Sequence, residues 1–535
     1  MFSRAAFAAL LVIALSVAGP VSAQIEDESM DDLNAWGQRL LASGEKEFPT
    51  SLWRGSDDEK LLALLQSVRA ADLSPAERAL LRRAVLSPAT APDGENAEAL
   101  LAERVRLMLE LGEARAAAAL APQLKQDPRG LDGETLAVDL DLASGREASA
   151  CAALAGPIKE GTYWVKLRAV CAVLQDNFAG AQLAIEMAGA QDVNDDWMIA
   201  AIFAASGDSP EPPKARFDSG LNIALSTKAG LDPSTLTLAA DRPDLAAAIA
   251  RREDVPLKLR ARFAEIASAF NLISGDEHRD ILLEGLANLE LEAASQIEQV
   301  LQDLNDPLID DETRLLGLNT ALQNAARSDL STFRSVSDLF LTDLRALPQN
   351  ALSAEYGLQF ARAAMIAGDR ELAQSWLATR DIEGVSQPDP YQIAVLEAVD
   401  ILAGGEASLA SLRAIEKRLV ATAESTPREI QTVRILTSWT GIGLPLTPVG
   451  RDFVASVVDR GERIPQGQMT SLKAATNGGA FGEAVMSMLS MTNGDAKQLA
   501  PSDFATLLDI LIDMDAPEIA SDLAIEASNF WKDPD

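Results

Sequence analysis

"YGLQFARAAMIAGDRELAQSWL", residues 356–377, contains two short apolar-periodic runs separated by Gly368. Apolar side chains recur at three- and four-residue spacing in each run, which places them on one face of a helix. Gly368 supplies a turn that ends the first helix, and the second returns antiparallel. Ala373 follows the break by five residues, where the returning helix crosses its partner and a small side chain lets the backbones approach. Neither helix can bury its apolar face alone, so the pair requires neighbours.

The same punctuation recurs in both directions. Breaks at Gly112, Gly145, Asp176, Gly207, Asp241 and Gly275 are 33, 31, 31, 34 and 34 residues apart. Ala117, Ala150, Ala181 and Ala246 each stand five residues beyond a break. Later units break at Gly405, Gly479 and Asp515, with Ala410, Ala484 and Ala520 in the matching place. Ala, Leu, Glu and Arg, all good helix formers, dominate, and strand-type alternation is nearly absent. The expected fold class is all-α: a superhelix of stacked antiparallel helix pairs, an α-solenoid, rather than a simple bundle.

The break and the alanine five residues on resemble the glycine and small-residue positions of the tetratricopeptide-repeat superfamily, and 356–377 is the unit most similar to it. Most units lack the first-helix Trp and the closing Pro of that family, and 276–355 shows no clean unit. The resemblance implies a degenerate solenoid over about two-thirds of the chain. It carries a fold and no site.

The chain opens "MFSRAAFAALLVIALSVAGPVSAQ". Arg4, the apolar run Ala5–Val17 and the small residues of "VSA" read as a secretory signal peptide over 1–23, cut after Ala23. With the Ala-rich, Cys-poor composition this points to an exported protein of the Gram-negative periplasm. No later run reaches the roughly 18 apolar residues a spanning helix needs. The expected organisation is an acidic N-terminal segment over 24–60, a helical-repeat array over 61–347 and a second over 348–535, divided near Pro348. Residues 206–220, "SGDSPEPPKARFDSG", replace a regular second helix. Residues 281–306 read as one longer helix, and "GIGLPLTPVG" (441–450) interrupts the later array.

With 46 basic and 80 acidic residues the formal charge is −34. That repels phosphate backbones, and no basic stripe offsets it, so nucleic acid is excluded as a partner. Two readings of the acidity stay open: a partner with a basic segment, or plain solubility.

Each catalytic pattern in the sequence is incomplete. His278 is the single histidine. It reads as a surface residue in a first helical turn, and any Ser-His-Asp triad would have to use it. Ser43 and Lys46 share an S-x-x-K spacing without its companion motifs. Asp192 begins a calcium-loop-like stretch that lacks the required glycine and glutamate, and the one at Asp303 is broken by Pro307, so both read as turns and helix starts. Glu424-Ser425 matches the pair of lytic transglycosylases, some of which carry an Ala-rich helical superhelix, but the rest of that signature is missing. No catalytic residue, metal or cofactor is assigned.

Cys151 and Cys171 are the only cysteines. In a tetratricopeptide-like stack they fall on a returning helix and on the next unit's first helix, at the same level. A bridge is geometrically allowed there and permitted in the periplasm; two buried free thiols are the alternative. The expected function is a non-enzymatic periplasmic scaffold or adaptor that binds another envelope protein. A peptidoglycan-acting enzyme and a small-ligand binding protein remain as alternatives.

Overall fold

The computed structural model describes residues 35–124, 133–190, 193–233, 242–288, 295–405, 407–458 and 460–533. The expected leader over 1–23, the first acidic residues, Asp192 and the Asp241 break lie outside the described residues. Among the described residues the fold is all-α, with 28 helices packed mostly as adjacent pairs and a single isolated bridge between Glu462 and Leu499. The architecture is solenoid-like.

The turns explain why the chain folds this way. Gly112, Gly145, Asp176, Gly207, Gly368, Gly479 and Asp515 all have left-handed backbone. At each, the next residue's N–H reaches back to the carbonyl five positions earlier: Glu113 to Met108, Arg146 to Asp141, Asp369 to Ala364, Ala516 to Leu511. This hydrogen bond satisfies an otherwise unpaired carbonyl at the helix end and reverses the chain. Polar caps then start many of the following helices, as when the Asp369 carboxylate accepts from the Leu372 N–H at 3.0 Å. Asp195 and Asp310 cap helices in the same way. The small residues land where expected: Ala117, Ala150, Ala181, Ala246, Ala373, Ala484 and Ala520 are fully buried.

Three turns differ from the sequence reading. The left-handed residue is Gly404 rather than Gly405, and Ala410 is exposed, because Ser408 starts the next helix one turn out of register. The break assigned to Gly275 falls at Asn271 (φ 57°); Gly275 is the first residue of the Gly275–Ala287 helix, capped by Ser274. "GIGLPLTPVG" continues the series, since Gly443 is left-handed (φ 85°). Left-handed turns at 368, 404, 443, 479 and 515 thus lie 36, 39, 36 and 36 residues apart. The single helix expected over 281–306 is two, Gly275–Ala287 and Gln296–Asn305, because Ser295 and Glu298 form a capping box that starts a new helix. Residues 206–219 carry no helix, as their prolines suggest. The Trp197 indole donates to the Lys214 carbonyl at 2.7 Å, and the Arg216 guanidinium covers the same ring.

The core has two parts. One, between Val138 and Leu231, is built around Trp164, Val170 and Leu225. The other runs from Ala35 to Trp531. They meet where buried Asp139 accepts from the N–H groups of Gly220 and Leu221, at 2.8 and 3.0 Å, and where Phe217 stacks on Phe263. The division near Pro348 is not a gap in this packing. Phe333, Phe340 and Phe360 share the larger core, and helix Leu330–Leu339 packs on Gly357–Ile366 across it.

The larger core also joins the two ends of the array. Helix Asp58–Ser67 packs on Phe481–Thr492, and Pro75–Leu86 packs on Pro517–Ser528. The Gly482 N–H donates to the Leu52 carbonyl at 2.7 Å; a Cβ there would lie 2.5 Å from the Trp53 ring. Lys60 pairs with Glu483, Lys46 with Glu518, and Arg83 donates to the Asp515 carbonyl. The array closes on itself instead of ending in two free caps.

Candidate binding groove

The sequence-derived candidates do not form a reaction centre. Cys151, on helix Glu147–Ala152, and Cys171, on helix Thr162–Leu174, are brought to disulfide distance, with sulfurs 1.98 Å and Cα atoms 5.7 Å apart. They tie two helices of the smaller core. His278 does lie in a first helical turn, but it is buried, not on the surface. Burial pushes its imidazole down to about 4, and its Nδ1 has no hydrogen-bond partner. Ser43 is exposed, and Lys46 is engaged with Glu518. Glu424 and Ser425 are exposed between helices Leu409–Thr422 and Thr426–Gly441. Among the described residues no three His, Cys, Asp or Glu side chains group as a metal site, and no helix is long and apolar enough to cross a membrane.

A different part of the chain forms an open trough of about 730 Å3. One wall is helix Leu409–Thr422. The other is the turn Pro445–Thr447 with the start of helix Pro448–Ser456. Leu412, Val420, Ala421, Pro445 and Leu446 supply apolar lining, and Leu409 and Val449, 60% and 50% exposed, stand at the edges. Large apolar side chains left this open beside an apolar cleft mark a surface that another molecule can cover.

The second wall is fixed by one residue. Glu416 faces away from solvent and its carboxylate accepts from the Thr447 N–H (2.9 Å), the Gly450 N–H (2.8 Å) and the Thr447 hydroxyl. These are unpaired donors at the start of helix Pro448–Ser456, so an anion there is doubly favoured. A Cβ at position 450 would lie 2.6 Å from the Glu416 carboxyl carbon, so glycine there lets the carboxylate keep these bonds. Pro445 and Pro448 further restrict this wall. Hydrogen bonds within the chain hold the second wall beside the first.

Its charge is opposite to that of the chain. Arg413 and Lys417 stand four residues apart on the groove side of the first wall, and Arg451 stands on the second. All three are exposed, and none forms an ion pair among the described residues. Arg418, the next residue on the first helix, is paired with Glu397. Most other arginines are likewise engaged, as Arg345 is with Asp369 and Arg279 with Asp343.

Sequence reading missed this site. Arg413 and Lys417 look like any solvated helix face, and "GIGLPLTPVG" read as an interruption. The available signal was the pair of prolines flanking Leu446 and Thr447, followed by a glycine inside a helix. Compared with known proteins, the chain matches no family model, no curated protein and no solved structure.

Proposed function

We propose that this protein is a non-enzymatic periplasmic scaffold whose helical-repeat frame, of the tetratricopeptide-like kind, presents the 409–451 groove to a segment of another envelope protein. The observation that carries this reading is the apolar trough with Leu409 and Val449 exposed on facing walls. Stacked helix pairs are a rigid platform for such grooves, and helix-in-groove docking needs an apolar floor with a polar rim. The Cys151–Cys171 pair at bridging distance supports an oxidising compartment, as does the secretory leader read from the sequence.

The rim bears on the partner's charge. The net charge of −34 favours basic partners at long range, yet the groove itself is lined by cations. Local contacts decide register and specificity, so the groove outweighs the average.

A photo-crosslinking residue at position 409, with one at the exposed Ile158 as control, tests the reading in cells. The expected result is a discrete adduct from position 409, absent from 158 and lost on Val449→Asp. Equal adducts from both positions, or none from 409, count against a docking groove.

A second reading has one observation in its favour. A volume near 730 Å3 also falls in the range of small-ligand sites, so an amphiphilic small anion is the alternative occupant.

A further inference from the structure

We propose that the occupant of the 409–451 groove is an acidic amphipathic helix of a partner protein; this rests on the docking reading above and specifies its chemistry.

Three features converge. The first is charge. Arg413, Lys417 and Arg451 place cations on both rims of one apolar trough, in a chain with 80 acidic and 46 basic residues. Carboxylates are abundant on this protein, yet none pairs with these three among the described residues. An incoming anion therefore displaces no carboxylate; Arg451 donates only to the Leu446 carbonyl, at 3.4 Å.

The second is layout. Leu409, Arg413, Lys417 and Ala421 form one row along the first wall at four-residue spacing, and Leu412 and Val420 lie beside them on the floor side. A ligand matched to this row presents apolar residues at i, i+3, i+4 and i+7 with carboxylates flanking them. The 14-residue wall is about 21 Å long at 1.5 Å per residue, so it accommodates about four turns of helix.

The third is openness. A small amphiphile gains affinity when most of its surface is enclosed. Here the apolar edge residues Leu409 and Val449 remain half or more exposed, so a slender ligand would leave them wet. A helix with apolar side chains on a broad face covers both edges.

The test uses the full mature chain and a displayed library of random peptides about 15 residues long, matched to the wall. It is selected in parallel on wild type and on the triple reversal R413E/K417E/R451E, with circular dichroism melting as the folding control. Wild type should enrich Asp and Glu around apolar residues at helical spacing, and the reversal should enrich Lys and Arg on the same frame. A wild-type-selected acidic peptide should bind the reversal at least about tenfold more weakly, because like charges now face each other.

Identical enrichment on both proteins, or basic peptides from wild type, overturns the proposal. So does the absence of any groove-dependent peptide when Val449→Asp is used for counter-selection. Saturable oleate binding that Val449→Asp abolishes, without peptide enrichment, assigns the groove to a small anion instead. If the position-409 adduct persists in cells while no acidic peptide is enriched, the groove docks a partner of other chemistry. If the adduct is also absent, the docking reading itself fails.

Discussion

The Glu526 carboxylate, in the last helix, accepts a hydrogen bond at 2.8 Å from the Ala76 N–H, 450 residues earlier. Ala76 lies in the first turn of helix Pro75–Leu86, so a buried acid of the C-terminal end caps a helix of the N-terminal end. The other oxygen, Oε2, has no partner. Burial pushes this carboxyl up to about 7, so near neutrality it carries a proton for much of the time.

That elevation has a definite sign in stability. Unfolded, the group titrates near 4.5; folded, near 7. Between these values the folded state holds more protons. The stability it contributes is complete below about pH 4.5 and is lost as pH rises through about 7. Burial raises Asp338, to about 6, and Asp522 in the same direction. Glu526→Gln keeps an acceptor for Ala76 and removes the titration. Urea midpoints at pH 5, 6 and 7 should fall less steeply in this variant than in wild type. Parallel slopes would mean that Glu526 is ionised throughout.

Gly482 has no room for a side chain, because Trp53 and the Leu52 carbonyl occupy the place of its Cβ. Gly482→Ala should therefore cost about 1–3 kcal/mol through forced separation of the chain ends. Gly467 is also within a helix but faces open space. Gly467→Ala should be neutral or stabilising by up to about 1 kcal/mol. Thermal unfolding of the two variants gives a direct contrast; equal effects would contradict tight closure.

Arg104 is fully buried without a carboxylate partner. Its guanidinium donates to the carbonyls of Val85 (2.7 Å), Ser87 (3.0 Å) and Ala35 (3.4 Å), and burial pushes it down to about 9. Arg104→Met keeps bulk and orphans those carbonyls, so denaturant unfolding should show a loss of about 3 kcal/mol. A loss below about 1 kcal/mol would indicate that water replaces the guanidinium.

Reduction of the Cys151–Cys171 pair should be felt locally. The pair is separated by 20 residues, and closing a loop of that size is worth about 3 kcal/mol by chain entropy. Hydrogen exchange in Cys151→Ser/Cys171→Ser should accelerate in the 138–231 core and change little around Trp376 or Trp439, which belong to the other core. Uniform acceleration would make the two cores one cooperative unit.

The repeat was legible because its cause is local. A left-handed residue, a six-residue hydrogen bond and a small side chain five positions on are all encoded within one unit, and Gly112 with Ala117 shows each of them. Closure was not legible. Nothing near Gly482 announces Trp53, because a contact across more than four hundred residues has no period. The groove was hidden for a related reason: exposed Arg413 and Lys417 acquire meaning only when Pro445–Thr447 folds beside them. His278 read as exposed because its neighbours Asp276 and Glu277 are acidic, yet the helix turns the imidazole inward.

Closure also sets an order of events. Leu52, Trp53 and helix Pro75–Leu86 are synthesised early, and their cover, the 481–531 segment, follows roughly four hundred residues later. At 5–20 residues per second the interval is roughly twenty to ninety seconds. Until helices Phe481–Thr492 and Pro517–Ser528 are available to them, Asp58–Ser67 and Pro75–Leu86 show an apolar face with no native partner. Packing of the 52–86 region is therefore finished only when residues 481–531 reach it, and its folding rate is tied to that long-range contact.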